Sequence, residues 1–221
     1  VRYLFDYYKL PFVIILIVLY VIAFLIYRQV TQKCPILYTG MVNIAPNELT
    51  VRQLSGDYLA YADADIGKEE VKLYTGWYLT TDKDSEYFQY TYASQMKILA
   101  SIDDEQLDVV LMDRESFDAF SQNGYLYNLE EFLNGTELAE RLKSCFVTNI
   151  EFLEDNAKEI NFDSTIEFES VNIEYPMGLD FSDSFVTSDT DYSDTIYLGV
   201  IANTPRKEEV IRYLTYLYSN P

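Results

Sequence analysis

The sequence predicts an α/β fold: an open sheet with helices packed on it, preceded by one apolar helix. Three observations carry this. Short apolar or period-two segments at 36–44, 70–75, 107–112, 162–175 and 196–201 alternate with segments whose apolar residues recur at helical spacing. Cap and turn residues separate them, as at Asp63–Gly67, Asp113 and Asn123-Gly124. Residues 10–27 carry no charge and are bracketed by Lys9 and Arg28.

The apolar stretch comes first. Its eighteen residues would rise ~27 Å as a helix, close to the ~30 Å hydrocarbon core of a bilayer. Tyr7, Tyr8 and Tyr27 fall where an interfacial aromatic belt belongs, and Pro11 sits in the first turn, where its missing N–H is harmless. A buried core helix would keep a polar face, and this one has none. A cleaved signal peptide needs a small-residue site, and Arg28–Cys34 offers neither an A-x-A pattern nor a lipobox. An uncleaved transmembrane anchor fits best. The expected organisation is a tail at 1–9, an anchor at 10–28, a juxtamembrane linker at 29–35 and a domain at 36–221. The flanking bases tie, with Arg2 and Lys9 before the span and Arg28 and Lys33 after it. A short tail before a large domain then favours a single-pass protein of the cell membrane with its C-terminal domain outside the cytoplasm.

The domain elements follow in order. Ile36–Ile44 reads as a buried first strand. Asn47–Tyr61 is helix-compatible, with Leu54, Tyr58 and Tyr61 on one face, and Glu70–Thr75 alternates as a second strand. Asp84–Ser101 presents Phe88, Tyr92, Met96 and Leu99 at helical spacing, an expected core face. Leu107–Met112 is a compact strand, and Asp113 can cap a helix over Arg114–Gln122 that buries Phe117 and Phe120. Asn128 and Thr136 are candidate caps of two short helices. Phe162–Tyr175 shifts toward period two, Ile196–Ile201 reads as a buried strand, and Thr204-Pro205 opens a last helix with Val210, Tyr213, Leu214 and Leu217 inward.

Composition narrows function. The chain has 221 residues, 36 acids against 16 bases, a net charge of −20, no histidine and two cysteines. Without histidine there is no Ser-His-Asp triad and no histidine-ligated metal; two thiolates cannot build a four-cysteine centre. Such acidity repels phosphate, so no nucleic-acid partner is expected. Residues 36–221 hold 35 of the acids and 12 of the bases, a net of −23. Cys34 and Cys145 read as two separate thiols, with a disulfide between them as the alternative. No metal or cofactor is expected.

Residues 96–133 carry a resemblance. Met96–Ile102 leads to Leu107-Asp108-Val109-Val110-Leu111-Met112-Asp113, then Ser116-Phe117, Phe120, Gly124-Tyr125-Leu126-Tyr127-Asn128-Leu129 and Phe132-Leu133. This resembles the extracellular solute-binding proteins of ABC importers, with their type 2 periplasmic-binding-protein fold. Gly178–Ser182, Gly199–Asn203 and the helix from Pro205 are similar to the late strand and helix of that family. The resemblance implies a periplasmic-binding-protein-like open sheet with helices on both faces. Because the chain is short for the family, the second lobe is expected to be reduced. It also implies a membrane-tethered domain that binds or senses a small molecule, in company with transporter subunits, and performs no chemistry. A structural or interaction ectodomain that keeps the fold without the ligand is the alternative; a carboxylate-based hydrolase is a third reading.

In open α/β sheets ligands bind beyond the carboxyl ends of the strands. That rule selects Asn43, Trp77 and Asp113 as candidate ligand-binding residues. Asn43 could bond a ligand or simply turn the chain. Trp77, the only tryptophan, could stack on a ring or anchor the core; Asp113 could be no more than a cap. Gly178 and Asp180 are candidates for a hinge or cleft edge, or an ordinary turn. From Glu159 to Pro205 there are ten acids and no base. Within this stretch Asp189–Asp194 lacks the glycine and distal glutamate of a calcium loop, so a solvated loop is the expectation.

Overall fold

The structure is a computed structural model that describes residues 2–155, 167–184 and 195–219. Its elements are α1 (Arg2–Thr31), β1 (Cys34–Val42), α2 (Glu48–Arg52), α3 (Tyr58–Tyr61), β2 (Glu69–Trp77), α4 (Phe88–Asp103), β3 (Val109–Met112), α5 (Arg114–Gln122), α6 (Leu129–Phe132), α7 (Glu137–Arg141), β4 (Phe146–Asp155), β5 (Ser170–Asp180), β6 (Tyr197–Val200) and α8 (Lys207–Leu217). A π-helical turn, Gln53–Asp57, joins α2 to α3 into one continuous helical stretch.

The six strands form one sheet in the order β2-β1-β3-β6-β5-β4. β1 lies parallel to β2 and β3, while β6, β5 and β4 continue antiparallel. The chain moves from β1 outward to β2 and then back past β1 to β3. Right-handed crossovers in opposite directions put the connecting helices on opposite faces. The two cores agree. On one face Leu37, Met41, Val109, Leu111, Leu198 and Val200 meet Leu54 and Tyr58 of the first crossover and Val210, Tyr213, Leu214 and Leu217 of α8. On the other, Val42, Val110, Met112 and Met177 meet Ile98 and Ile102 of α4 and Phe117 and Phe120 of α5. β3 is therefore buried on both sides, which is why its four residues are all apolar.

The first face is fastened by tyrosines. Tyr58 meets Tyr213 edge-on with ring centroids 4.7 Å apart and donates to Glu209 Oε1 at 2.5 Å. The Tyr213 and Tyr216 hydroxyls donate to the carbonyls of Leu54 and Gln53. Burial pushes Tyr216 up to about 12, and burial also holds Tyr58 and Tyr213 well above the ordinary phenol range, with Glu209 adding to the shift at Tyr58.

Several expectations are corrected. The inner face of α4 is Ser94, Ile98 and Ile102, while Phe88, Tyr92 and Met96 are exposed. Helical spacing alone marks a stripe; the crossover decides which stripe meets the sheet. β4 lies where no strand was expected, between the short helices and residue 162. The strand expected at 162–175 begins at Ser170 and runs to Asp180, and residues 162–166 lie outside the described residues. The described residues hold one six-stranded sheet. The linker expected at 29–35 is mostly taken into its neighbours, since α1 reaches Thr31 and β1 starts at Cys34. Cys34 is exposed and Cys145 buried, with no disulfide between them. The Asp189–Asp194 cluster lies outside the described residues.

α1 is 30 residues long, and residues 11–25 are exposed on every side. Among the described residues no helix is long and apolar enough to cross a membrane.

Candidate functional site

The candidate site lies beyond the carboxyl ends of β1 and β3. β1 stops at Val42, and Asn43 turns the chain with φ 59°, a left-handed conformation that asparagine tolerates better than most residues. Its backbone N–H donates to Trp77 O at 2.9 Å, which ties the ends of β1 and β2. Its side chain spans two loops. Asn43 Nδ2 lies 2.6 Å from Leu79 O, 2.9 Å from Asp113 Oδ2 and 3.1 Å from Ser116 Oγ, and Oδ1 accepts from Leu79 N–H at 3.0 Å. An amide has two donor hydrogens, so three acceptors exhaust it.

Asp113 stands at the end of β3 as the cap of α5, Oδ1 accepting from Ser116 N–H at 3.0 Å. Two residues on, Glu115 Oε1 accepts from Thr81 N–H at 2.8 Å and Thr81 Oγ1–H at 2.7 Å. Both carboxylates benefit from the positive end of the helix. The segment after β2 is thus pinned from both sides. Tyr78 N–H and Thr80 N–H also donate to Ser94 Oγ and Thr91 Oγ1 of α4.

Two concavities flank this segment and share Leu79, Thr80 and Glu115. One, of about 440 Å³, is lined by Asn43, Tyr78, Ser85, Tyr87 and Asp113 among others. The second, of about 430 Å³, is lined among others by Thr91, Gln95, Ile98, Asp118, Phe120 and Tyr125. The Tyr78 and Tyr87 rings stack at 4.4 Å and 11° on the wall of the first. Its hydrogen bond with Glu86 raises the Tyr87 hydroxyl above its ordinary range, and burial raises Tyr125. Among the described residues no lysine or arginine lines either concavity. The arrangement offers neutral donors, aromatic faces and three carboxylates, Asp113, Glu115 and Asp118, a lining suited to neutral or cationic molecules. Among the described residues no group of acids and thiols is placed to hold a metal.

Of the five residues picked from sequence, Asn43 and Asp113 are brought together. Trp77 is 5% exposed, stacked on Tyr74 with ring centroids 5.1 Å apart. A Cβ on Gly40 would come within 2.7 Å of its ring, so glycine at 40 is what admits the indole into the core. Gly178 likewise gives its space to Phe117, whose ring would lie 2.6 Å from an added Cβ. That makes Gly178 a close-packing position inside the sheet. Asp180 does reach the same end of the sheet: Trp77, Val42, Met112, Tyr197 and Asp180 form one row across five strands. It is three strands from β1, roughly 14 Å, and it caps a local turn by accepting from Ser182 N–H at 2.8 Å.

Tyr78, Thr81, Tyr87 and Glu115 were not among the sequence candidates. The rule that selected Trp77 at the end of β2 applies equally to the loop that follows, and Glu115 follows Asp113 on the same capped turn. No family model, no curated protein and no solved structure matches this chain.

Proposed function

We propose that α1 anchors this protein in the cell membrane and that its α/β domain, outside the cytoplasm, binds or senses a small molecule without transforming it. The observation that carries the reading is the cleft beyond the adjacent parallel strands β1 and β3, walled by Tyr78 and Tyr87 and floored by Asn43 and Asp113. Its size falls within the ~300–1,000 Å³ of small-molecule sites. The anchor rests on residues 11–25, apolar and exposed around the whole helix, a surface that water does not tolerate without a cover. The resemblance to importer solute-binding proteins extends the reading to transporter subunits in the same membrane.

Calorimetry and thermal-shift measurements on the full chain in lipid nanodiscs, against sugars, peptides and organic amines, test the cleft. One ligand class at 100 times its Kd raises stability by about 2.7 kcal/mol, or about 5–10 °C, and Tyr87→Ala together with Glu115→Gln abolishes the shift. Silence across the panel overturns the ligand reading. It would favour the interaction ectodomain, for which the fully used Asn43 Nδ2 donors already speak. Hydrolysis of a nitrophenyl glycoside would instead turn the Asp113–Glu115 cleft into the third, hydrolytic reading. Orientation has its own test. Exposed Cys34 sits just past α1, while Cys145 is buried, so a membrane-impermeant maleimide added to intact cells labels the chain only if the domain is outside.

A further inference from the structure

β5 pairs with β6 only at Gly178–Asp180, but with β4 from Leu179 opposite Phe146 to Ser170 opposite Asp155. Beyond β6 these two strands continue as a ribbon, and β4 is the sheet's edge. The ribbon is not sealed. Leu153, Val171 and Ile173 are 52%, 56% and 41% exposed, and Phe168, two residues before β5, is 52% exposed. Acids frame them: Glu154, Glu167, Glu169 and Glu174 are exposed as well. Between Lys143 and Arg206 the sequence has thirteen acids and a single base, Lys158.

Direction adds a constraint. β5 is antiparallel to β6, which is antiparallel to β3, so β5 runs the same way as β1 and β3. The Ser170 end therefore leaves the sheet on the side where Cys34 joins α1. Eight residues separate Ser170 from the row of Gly178, roughly 26 Å of strand.

We infer that this ribbon is a docking surface for an extended, lysine- or arginine-bearing segment of another protein, with alternating apolar residues, which adds along the open edge of β4. An edge that no described strand pairs supplies backbone donors and acceptors, the apolar residues supply burial, and the acids select the charge of the partner. A second copy of this chain would set acids against acids, and an anionic bilayer would repel them. The cleft plays no part in this inference.

The test uses the full chain in phosphatidylcholine nanodiscs and three heptapeptide probes that alternate Lys with Val, Lys with Ser and Glu with Val. Amide hydrogen exchange is the readout. The Lys-Val peptide protects amides of Phe146–Asp155 and Ser170–Tyr175, binds at least tenfold more tightly than Lys-Ser, and leaves Glu-Val without effect. Val171→Lys with Ile173→Lys, at exposed positions, weakens it at least tenfold while leaving the thermal midpoint in place. Equal binding of Lys-Val and Lys-Ser, protection elsewhere, or binding unmoved by the double substitution overturns the inference. So does ribbon protection without peptide that appears on adding phosphatidylserine or on raising protein concentration.

Discussion

β3 carries an aspartate at each end, and the two are used in opposite ways. Asp108, just before the strand, is fully buried. Its Oδ2 accepts from Tyr38 N–H at 2.8 Å, and its Oδ1 accepts from Thr204 Oγ1–H at 2.6 Å and from the Arg206 guanidinium at 3.1 Å. Arg206 also lies 4.5 Å from the centroid of the Tyr38 ring. This end is a lock that fastens β1, β3 and the entry to α8. Asp113, just after the strand, is half-buried, and its bonds go to a helix N–H and an amide side chain beside a cleft. The same side chain is structural where an arginine compensates it and available where only neutral donors do. Pairing with a base, not residue type, separates scaffold from candidate site here.

The comparison breaks most easily at the lock. Asp108→Ala removes the buried partner of Arg206 and orphans the Tyr38 N–H and the Thr204 hydroxyl. The expected loss is about 3–5 kcal/mol, read as the shift in a denaturant midpoint of the full chain in detergent. A loss under about 1 kcal/mol would make the two ends equivalent.

Alkali attacks what the lock serves, the seat of α8 on the tyrosines. Tyr58, Tyr213 and Tyr216 have raised values in the folded state, Tyr216 up to about 12. An unfolded tyrosine loses its proton near pH 10, so above that the unfolded state binds fewer protons than the folded one. Their stabilisation is complete below about pH 10 and fades as pH rises through the folded values. The slope is about 1.4 kcal/mol per pH unit for each tyrosine. Thermal midpoints should fall steeply above pH 10, with phenolate absorbance appearing together with unfolding and not before it.

At the cleft end effects are smaller. Asp113→Ala loses a cap, about 1 kcal/mol, and should reduce ligand response well beyond that stability cost. Asn43→Ala and Asn43→Gly remove the same side chain, but only alanine must hold a positive φ. Glycine should therefore be the more stable by about 1 kcal/mol, and matched thermal scans of the two variants measure it.

Much of the scaffold was legible because its signals are local. The cap at Asp113, the inward stripe of α8 and the unbroken apolar run of β3 each lie within a few residues of chain. The site was legible in part: the rule of carboxyl strand ends brought Asn43 and Asp113 to notice. It could not distinguish Trp77, whose carbonyl accepts from the Asn43 N–H while its ring turns into the core beside Gly40. β4 escaped notice because Thr148, Asn149 and Glu151 interrupt its apolar residues, and its pairing comes from β5, not from its own pattern.

By itself, then, the sequence determined the alternation of strands and helices, the apolar first helix, the acidity that selects against anions, and the chemistry that absent histidine forbids. These follow from composition and from periodicities of two and 3.6, which need no partner to be read. Only the tertiary structure decided that Asp108 is a lock and Asp113 a cleft residue, that the Phe88–Met96 stripe faces outward, and that β4 and β5 outrun β6. Each of these depends on which segment lies opposite, and that is set by crossovers and strand order, from 15 positions apart for Asp155 and Ser170 to 98 for Asp108 and Arg206.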